Sequence, residues 1–167
     1  MRLIIIRHGK THQDPPEGSR GRDEDRELME RGVRQSQFLG ELLAGMANPP
    51  QLVVSSGIER AVTTANLINS HLGVVHRVDG SFEFGTTPSQ AVEAAIAHCA
   101  DAGLMDSPGG LVVVGHNPQL EGVLALLLDG AGAGSYRVRT GEAFALEIDP
   151  EQPFGTARLE WSDRLEE

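Results

Sequence analysis

Apolar residues fall along the chain in two rhythms. Short apolar runs at Arg2–Ile6, Leu52–Ser55 and the LVVVGH stretch at 111–116 have the length and branching of strands, and Val74–Val78 reads as a further strand. Between them, apolar positions recur at helical spacing. Val33, Phe38, Leu39, Leu42, Leu43 and Met46 mark a helix from about Glu30 to Met46, stopped by Asn-Pro-Pro at 48–50. SGIE at 56–59 has the Ser-x-x-Glu form of a capping box and predicts a helix running to about Leu72. Pro88 opens a third helix through Ala102. Asn117 suits an N-cap and Pro118 a first helical position, predicting a fourth helix that ends near Asp129. GAGAG at 130–134 reads as a flexible turn. Tyr136–Arg139, Ala143–Ile148 and Thr156–Trp161 read as late strands, the first two as a hairpin. Residues 10–27 carry no such rhythm. They are polar and charged and predict a long loop, the kind that serves function in compact domains.

Strands that alternate with helices predict a three-layer α/β/α fold. Its central sheet is mainly parallel and covered on both faces, and the late strands add an antiparallel edge. The 167 residues fit a single domain, 1–167. No apolar run is long enough to cross a bilayer, and the four-residue run after Arg2 is too short for a signal peptide. One cysteine, Cys99, allows no internal disulfide, so a cytoplasmic location is expected. The net charge of −10 argues against non-specific nucleic-acid or anionic-membrane binding. It also makes any local cluster of Arg and His more informative.

Such a cluster is predicted where the strands end. In an open α/β sheet, ligands bind beyond the carboxyl ends of the strands. Arg7, His8 and Gly9 follow the first strand; Ser55, Ser56 and then Arg60 follow the second. Phe82, Glu83 and Phe84 come after the third, and Gly115, His116 and Asn117 after the fourth. Parallel strands would bring two histidines, two arginines and a glutamate to one crevice. Arg60 in a first helical turn opposes the helix dipole, and an anion shared with that helix end would reverse the penalty. Guanidinium groups fork onto oxyanions, and a neutral imidazole is a nucleophile toward phosphorus. Phosphoryl transfer needs little beyond positioning and charge neutralisation, with a carboxyl group as an acid or base.

RHGKT at 7–11, SSGIERAVTTA at 55–65 and VGHNP at 114–118 resemble the three signature segments of the histidine phosphatase superfamily, the phosphoglycerate-mutase-like fold. The short chain is most similar to SixA-type phosphohistidine phosphatases. RELMERG at 26–32 and RTGEAFALEID at 139–149 resemble segments of that group, although Met29 stands where a threonine is usual. The resemblance implies that His8 becomes phosphorylated, that Arg7 and Arg60 hold phosphoryl oxygens, and that His116 completes the pocket. It implies an acid/base role for Glu83 and a further phosphate contact for Arg26, with Arg20 and Arg22 as rivals for that contact. The implied substrate is a phosphorylated protein, such as a phosphohistidine domain, with a small phosphorylated metabolite as the alternative. No cofactor and no metal are expected.

Three other chemistries compete. His8 and His12 stand four apart, but Gly9 and the strand end do not suit a helical zinc motif. Asp14, Glu17, Asp23 and Asp25 leave hard-cation binding conceivable in the loop. Cys99 lies in a helical run with no arginine at phosphate-loop spacing and reads as a small core residue. A binding module that keeps the pocket without turnover is the third.

Overall fold

The predicted strands pack side by side into one sheet, and the reason is visible in the first of them. The computed structural model describes residues 1–131 and 135–166. Strand β1 spans Arg2–Arg7 and alternates between two cores. Leu3 and Ile5 face one cluster and Ile4 and Ile6 the other, all at most 1% exposed. A strand buried on both faces must be apolar throughout, hence the unbroken run. In chain order there follow α1 (Glu30–Ala44), β2 (Leu52–Ser55), α2 (Glu59–Leu72), β3 (Val75–Val78), α3 (Pro88–Asp101), β4 (Leu111–Gly115), α4 (Gln119–Asp129), β5 (Glu142–Glu147) and β6 (Arg158–Arg164).

The sheet order is β3-β2-β4-β1-β5-β6. Strands β1, β2, β3 and β4 pair in parallel, and β5 and β6 extend the sheet antiparallel from β1. Helices α1 and α2 cover one face through Leu39, Leu43, Ala61, Ala65 and Ile68. Helices α3 and α4 cover the other through Ala91, Val92, Ala95, Leu120, Val123 and Leu124. The expected α/β/α layering with an antiparallel edge is what forms. No helix among the described residues is long and apolar enough to cross a membrane.

Several boundaries differ from the sequence reading, each for a physical reason. Tyr136–Arg139 is not a strand and forms no hairpin with β5. Val138 there bonds to side chains, its carbonyl accepting from the Asn117 amide and its N–H donating to Glu121. Helix α2 begins at Glu59 with Ile58 at the N-cap and no side-chain cap; the Ser56 hydroxyl accepts the Ile58 N–H and also meets His116. Pro118, after a cis peptide, takes the N-cap position of α4 in place of Asn117. A genuine capping box, unforeseen, closes α3: Thr87 and Gln90 each accept from the other's backbone N–H. The last strand runs to Arg164, so the start of DRLEE belongs to the sheet. Of the turn at 130–134, residues 132–134 lie outside the described residues.

Candidate active site

The parallel register builds the site. Arg7 of β1 pairs with Gly115 of β4, so the next residues, His8 and His116, leave adjacent strands together. Their ring centroids lie 5.2 Å apart. The His8 N–H donates to the Gly115 carbonyl, and the Gly141 N–H caps the carbonyls of Arg7 and His8. Gly9 runs against Gly32 so closely that a Cβ would meet the Gly32 carbonyl oxygen at 2.6 Å. That contact explains the glycine without appeal to ligand. Thr64 adds a cross-link from α2, accepting from the Gly9 N–H and donating to the Arg60 carbonyl.

His8 is 6% exposed. Its Nδ1 lies 2.8 Å from the Gly9 carbonyl oxygen. A carbonyl only accepts, so Nδ1 carries the proton and Nε2 holds the lone pair. Burial first, and then His116, Arg60 and Arg7, push the His8 pKa down to about 3 against the pull of the Gly9 carbonyl. The ring is therefore neutral at neutral pH.

His116 is 2% exposed and is also pushed down, to about 4, by burial and then by Arg60 and Arg7. Its Nε2 lies 2.6 Å from the Ser56 hydroxyl, and its buried Nδ1 has no partner among the described residues. The Ser56 oxygen already accepts the Ile58 N–H at 3.0 Å. If Ser56 gives its own proton to Nε2, the single N–H of neutral His116 sits on Nδ1 and can donate to an oxyanion. Ser56 is thus a positioning residue that sequence reasoning passed over as part of a helix cap. Its place after β2, beside β4, was the available signal.

Around the two rings lies a cavity of about 280 Å³ bounded by Arg7, Lys10, Thr11, Asp23, Arg26, Arg60, Phe84, Asn117 and Thr140. Arg7 donates from Nη1 to the Val138 carbonyl, while its buried Nε has no partner among the described residues. Arg60 is 4% exposed. It donates from Nη1 to the Asp23 carbonyl and from Nη2 to the Asp23 carboxylate, at 2.8 and 2.9 Å. Arg26 reaches the same carboxylate from Nη1 at 2.9 Å and the Thr11 hydroxyl from Nη2 at 2.7 Å. Arg26 and Arg60 hold the Asp23 carboxyl below the usual carboxylate range, so it is ionised. Two guanidinium groups converge on one anion, and that anion is a side chain 63% exposed. Asp23 was expected only as part of a loop of acids.

Of Arg20, Arg22 and Arg26, Arg26 is the one that lines the cavity. Arg22 pairs with Glu24 and Asp25, and neither Arg22 nor Arg20 lines the cavity. Glu83 does not line this cavity but the adjoining one of about 510 Å³, which His116, Phe84 and Asn117 also line, and its Oε2 sits over Gly80 and Gly57. Phe82 before it is buried in the core and Phe84 after it turns to the rings, so the extended backbone at Glu83 points its side chain elsewhere. Phe84 was named as a neighbour but given no role. Its ring lies 4.5 Å from that of His116 and 5.4 Å from the Arg60 guanidinium carbon. His12 faces a separate surface hollow with Gln13, Asp14, Pro16 and Glu27. Among the described residues, no three His, Cys, Asp or Glu side chains are grouped to hold a metal ion.

Residues 3–83 match the histidine phosphatase superfamily (branch 1). The matched segment is just under half of the chain. The chain is 40% identical over 79 residues to glucosyl-3-phosphoglycerate phosphatase of Mycobacterium tuberculosis, a match covering 47% of this chain and 34% of that protein. The chain thus matches about a third of the length of that curated relative. Its fold is similar to the protein histidine phosphatase SixA complexed with tungstate, with a TM-score of 0.74 at 20% identity over 98% of this chain and 97% of that one. It is also similar to mycobacterial glucosyl-3-phosphoglycerate phosphatase with VO3, with a TM-score of 0.67 at 22% identity over 96% and 97%. These likenesses in fold run on through β4, β5 and β6, beyond the matched segment.

Proposed function

We propose that this chain is a phosphatase that works in two steps through a phosphohistidine at His8. One observation carries the reading. His8 is buried, neutral and tied through Nδ1–H to Gly9, so its Nε2 lone pair is the one presented to the cavity that Arg7, Arg60 and His116 line. In the first step Nε2 forms a bond to phosphorus as the bond to the leaving group breaks, and the leaving atom takes the electron pair and a proton. In the second step water adds to phosphorus, the N–P bond returns its pair to Nε2, and inorganic phosphate departs. Arg7, Arg60 and Arg26 neutralise the phosphoryl oxygens, and His116 donates from Nδ1. Glu83 lines the adjoining cavity together with His116, and the leaving group takes its proton from that side, from Glu83 or from water.

The substrate we favour is a phosphohistidine in a signalling protein, acted on in the cytoplasm. The likeness in fold to the protein histidine phosphatase SixA over 98% of the chain supports this, as does a site open to surface grooves. A phosphoramidate is also a reactive leaving partner that asks little of an acid. A small phosphomonoester is the second reading, favoured by the 40% identity over 79 residues to glucosyl-3-phosphoglycerate phosphatase.

The test is trapping. With a labelled phosphodonor and an alkaline quench, wild type should hold acid-labile, alkali-stable label, and folded His8→Ala should hold none. Turnover by His8→Ala at the wild-type rate would refute the reading. Activity should persist in EDTA; loss in EDTA with recovery on adding zinc would point to metal hydrolysis.

A further inference from the structure

The phosphate cavity adjoins a larger hollow of about 510 Å³, and the two share Phe84, His116 and Asn117. Arginines line the cavity, but acceptors line the hollow. Glu83 and Glu121 stand in its wall, and among the described residues no lysine or arginine does. Gln119 lines it too and is 6% exposed. Its Nε2 donates to the Ser81 carbonyl, which can only accept, and to the Thr86 hydroxyl. That leaves Oε1 buried with no donor among the described residues. Asn117 repeats the pattern. Its Nδ2 donates to the Val138 carbonyl at 2.8 Å, and its buried Oδ1 has no donor among the described residues. Two carboxyl groups and two uncompensated amide oxygens give this side of the site one sign, and a positive charge placed there would be stabilised.

We propose that the hollow holds a lysine or arginine side chain of the protein substrate, a few residues from its phosphohistidine, with Glu121 as the partner. The proposal rests on the reading of this chain as a phosphatase of phosphohistidine in a protein. With the phosphoryl group at His8, the substrate chain would pass Phe84 and Asn117, which both spaces share.

The rest of the wall suits such a side chain. Phe84 is 51% exposed, and Pro88, Pro118 and Tyr136 line the same space. Lysine and arginine pack an aliphatic stem on apolar and aromatic surface while the charged head finds an acceptor. Glu121 is placed to be that acceptor. The Val138 N–H takes its Oε2 at 3.0 Å, which leaves Oε1 to meet the cation. The Tyr136 hydroxyl donates to Asp129, a further carboxylate beside the ring. On the other flank of the cavity Arg137, Arg139 and Arg164 would repel the same charge, so the two flanks together orient the substrate chain. The net charge of −10 draws basic partners from a distance, and the hollow decides where their charge docks.

Binding separates this proposal from catalysis. The probes are peptides with phosphonotriazolylalanine, a stable stand-in for phosphohistidine, and one lysine, norleucine or glutamate scanned along either side of it. Calorimetry with wild type should find one or two positions where lysine binds about five- to tenfold tighter than norleucine, with glutamate weakest. Glu121→Gln should remove most of that advantage. Glu121→Lys should pass it to glutamate, a gain that misfolding cannot mimic. Ratios are taken within each variant, so a general change in phosphonate affinity cancels. Norleucine equal to lysine at every position overturns the pocket. So does a lysine advantage that is the same at all positions, as net charge alone would give, or one untouched by Glu121→Gln. Hydrolysis of the matching phosphohistidine peptides is read separately. Phosphate release without regard to lysine refutes the pocket and leaves the phosphatase reading intact. If wild type hydrolyses none of them yet the lysine preference follows Glu121, the phosphatase reading fails and the pocket stands.

Discussion

The paired ends of β1 and β4 and the loop at residues 10–27 meet at the same cavity but are built differently. His8 and His116 are nearly inaccessible and are set by strand register and backbone bonds. Arg26 and Asp23 come from the loop, and Asp23 is 63% exposed. The strand ends fix where the reacting nitrogens sit and which of them carry protons. The loop brings charge that can be exchanged, because a carboxylate already occupies the arginines that phosphate would need. One region supplies rigid chemistry and the other a replaceable counter-anion.

The sharpest break falls on the strand ends. Replacing His8 by alanine should lower turnover by at least about a thousandfold, since the nucleophile is lost. Steady-state kinetics on a folded variant checks it. Ser56→Ala should cost about ten- to a hundredfold in kcat with little change in KM, because His116 loses the hydroxyl bonded to its Nε2. Ser56→Thr, which keeps the hydroxyl, should recover much of it, a rescue that a purely packing role would not give.

Acid should separate the regions next. The folded pKa values of His8 and His116, about 3 and about 4, lie below the unfolded value of about 6.5. Unfolded chains therefore bind more protons as pH falls below 6.5, and stability present at neutral pH is lost from there down toward pH 4. Each ring should contribute about 2 kcal/mol of that loss at pH 5. Urea unfolding at pH 7.5 and pH 5 measures it, and His8→Asn should reduce the difference. Bound phosphate should raise both pKa values and flatten the same dependence.

The smallest effect is expected in the loop. Asp23→Asn removes the competing carboxylate and should tighten phosphate binding about three- to fivefold, read by calorimetry. Weaker binding would show that Asp23 supports the arginines and does not compete for them.

Much of this site was legible because it is written in strand ends. Arg7, His8, Arg60 and His116 each follow or adjoin a buried run, and a parallel sheet has to gather such positions. The side chains that tune those groups were harder to read. Ser56 looked like a cap, since its motif has that form, and only β2–β4 adjacency reveals its bond to His116. Glu83 was placed in the crevice by its strand, but alternation along an extended backbone sends it to the neighbouring groove. Asp23 sits in a loop with no periodicity, and its partners are chosen by tertiary contact alone. Tyr136–Arg139 has strand-like composition, yet Val138 bonds to the Asn117 and Glu121 side chains, and Arg139 only closes a turn onto Glu142 at the start of β5.

The central claim is that His8 takes the phosphoryl group on Nε2 because Gly9 holds its Nδ1 proton. Phosphorus and nitrogen NMR of the trapped, alkaline-quenched enzyme reads that directly. The phosphoryl group should be found on Nε2 of His8; phosphate on Nδ1, on His116, or on neither histidine under turnover would contradict the account.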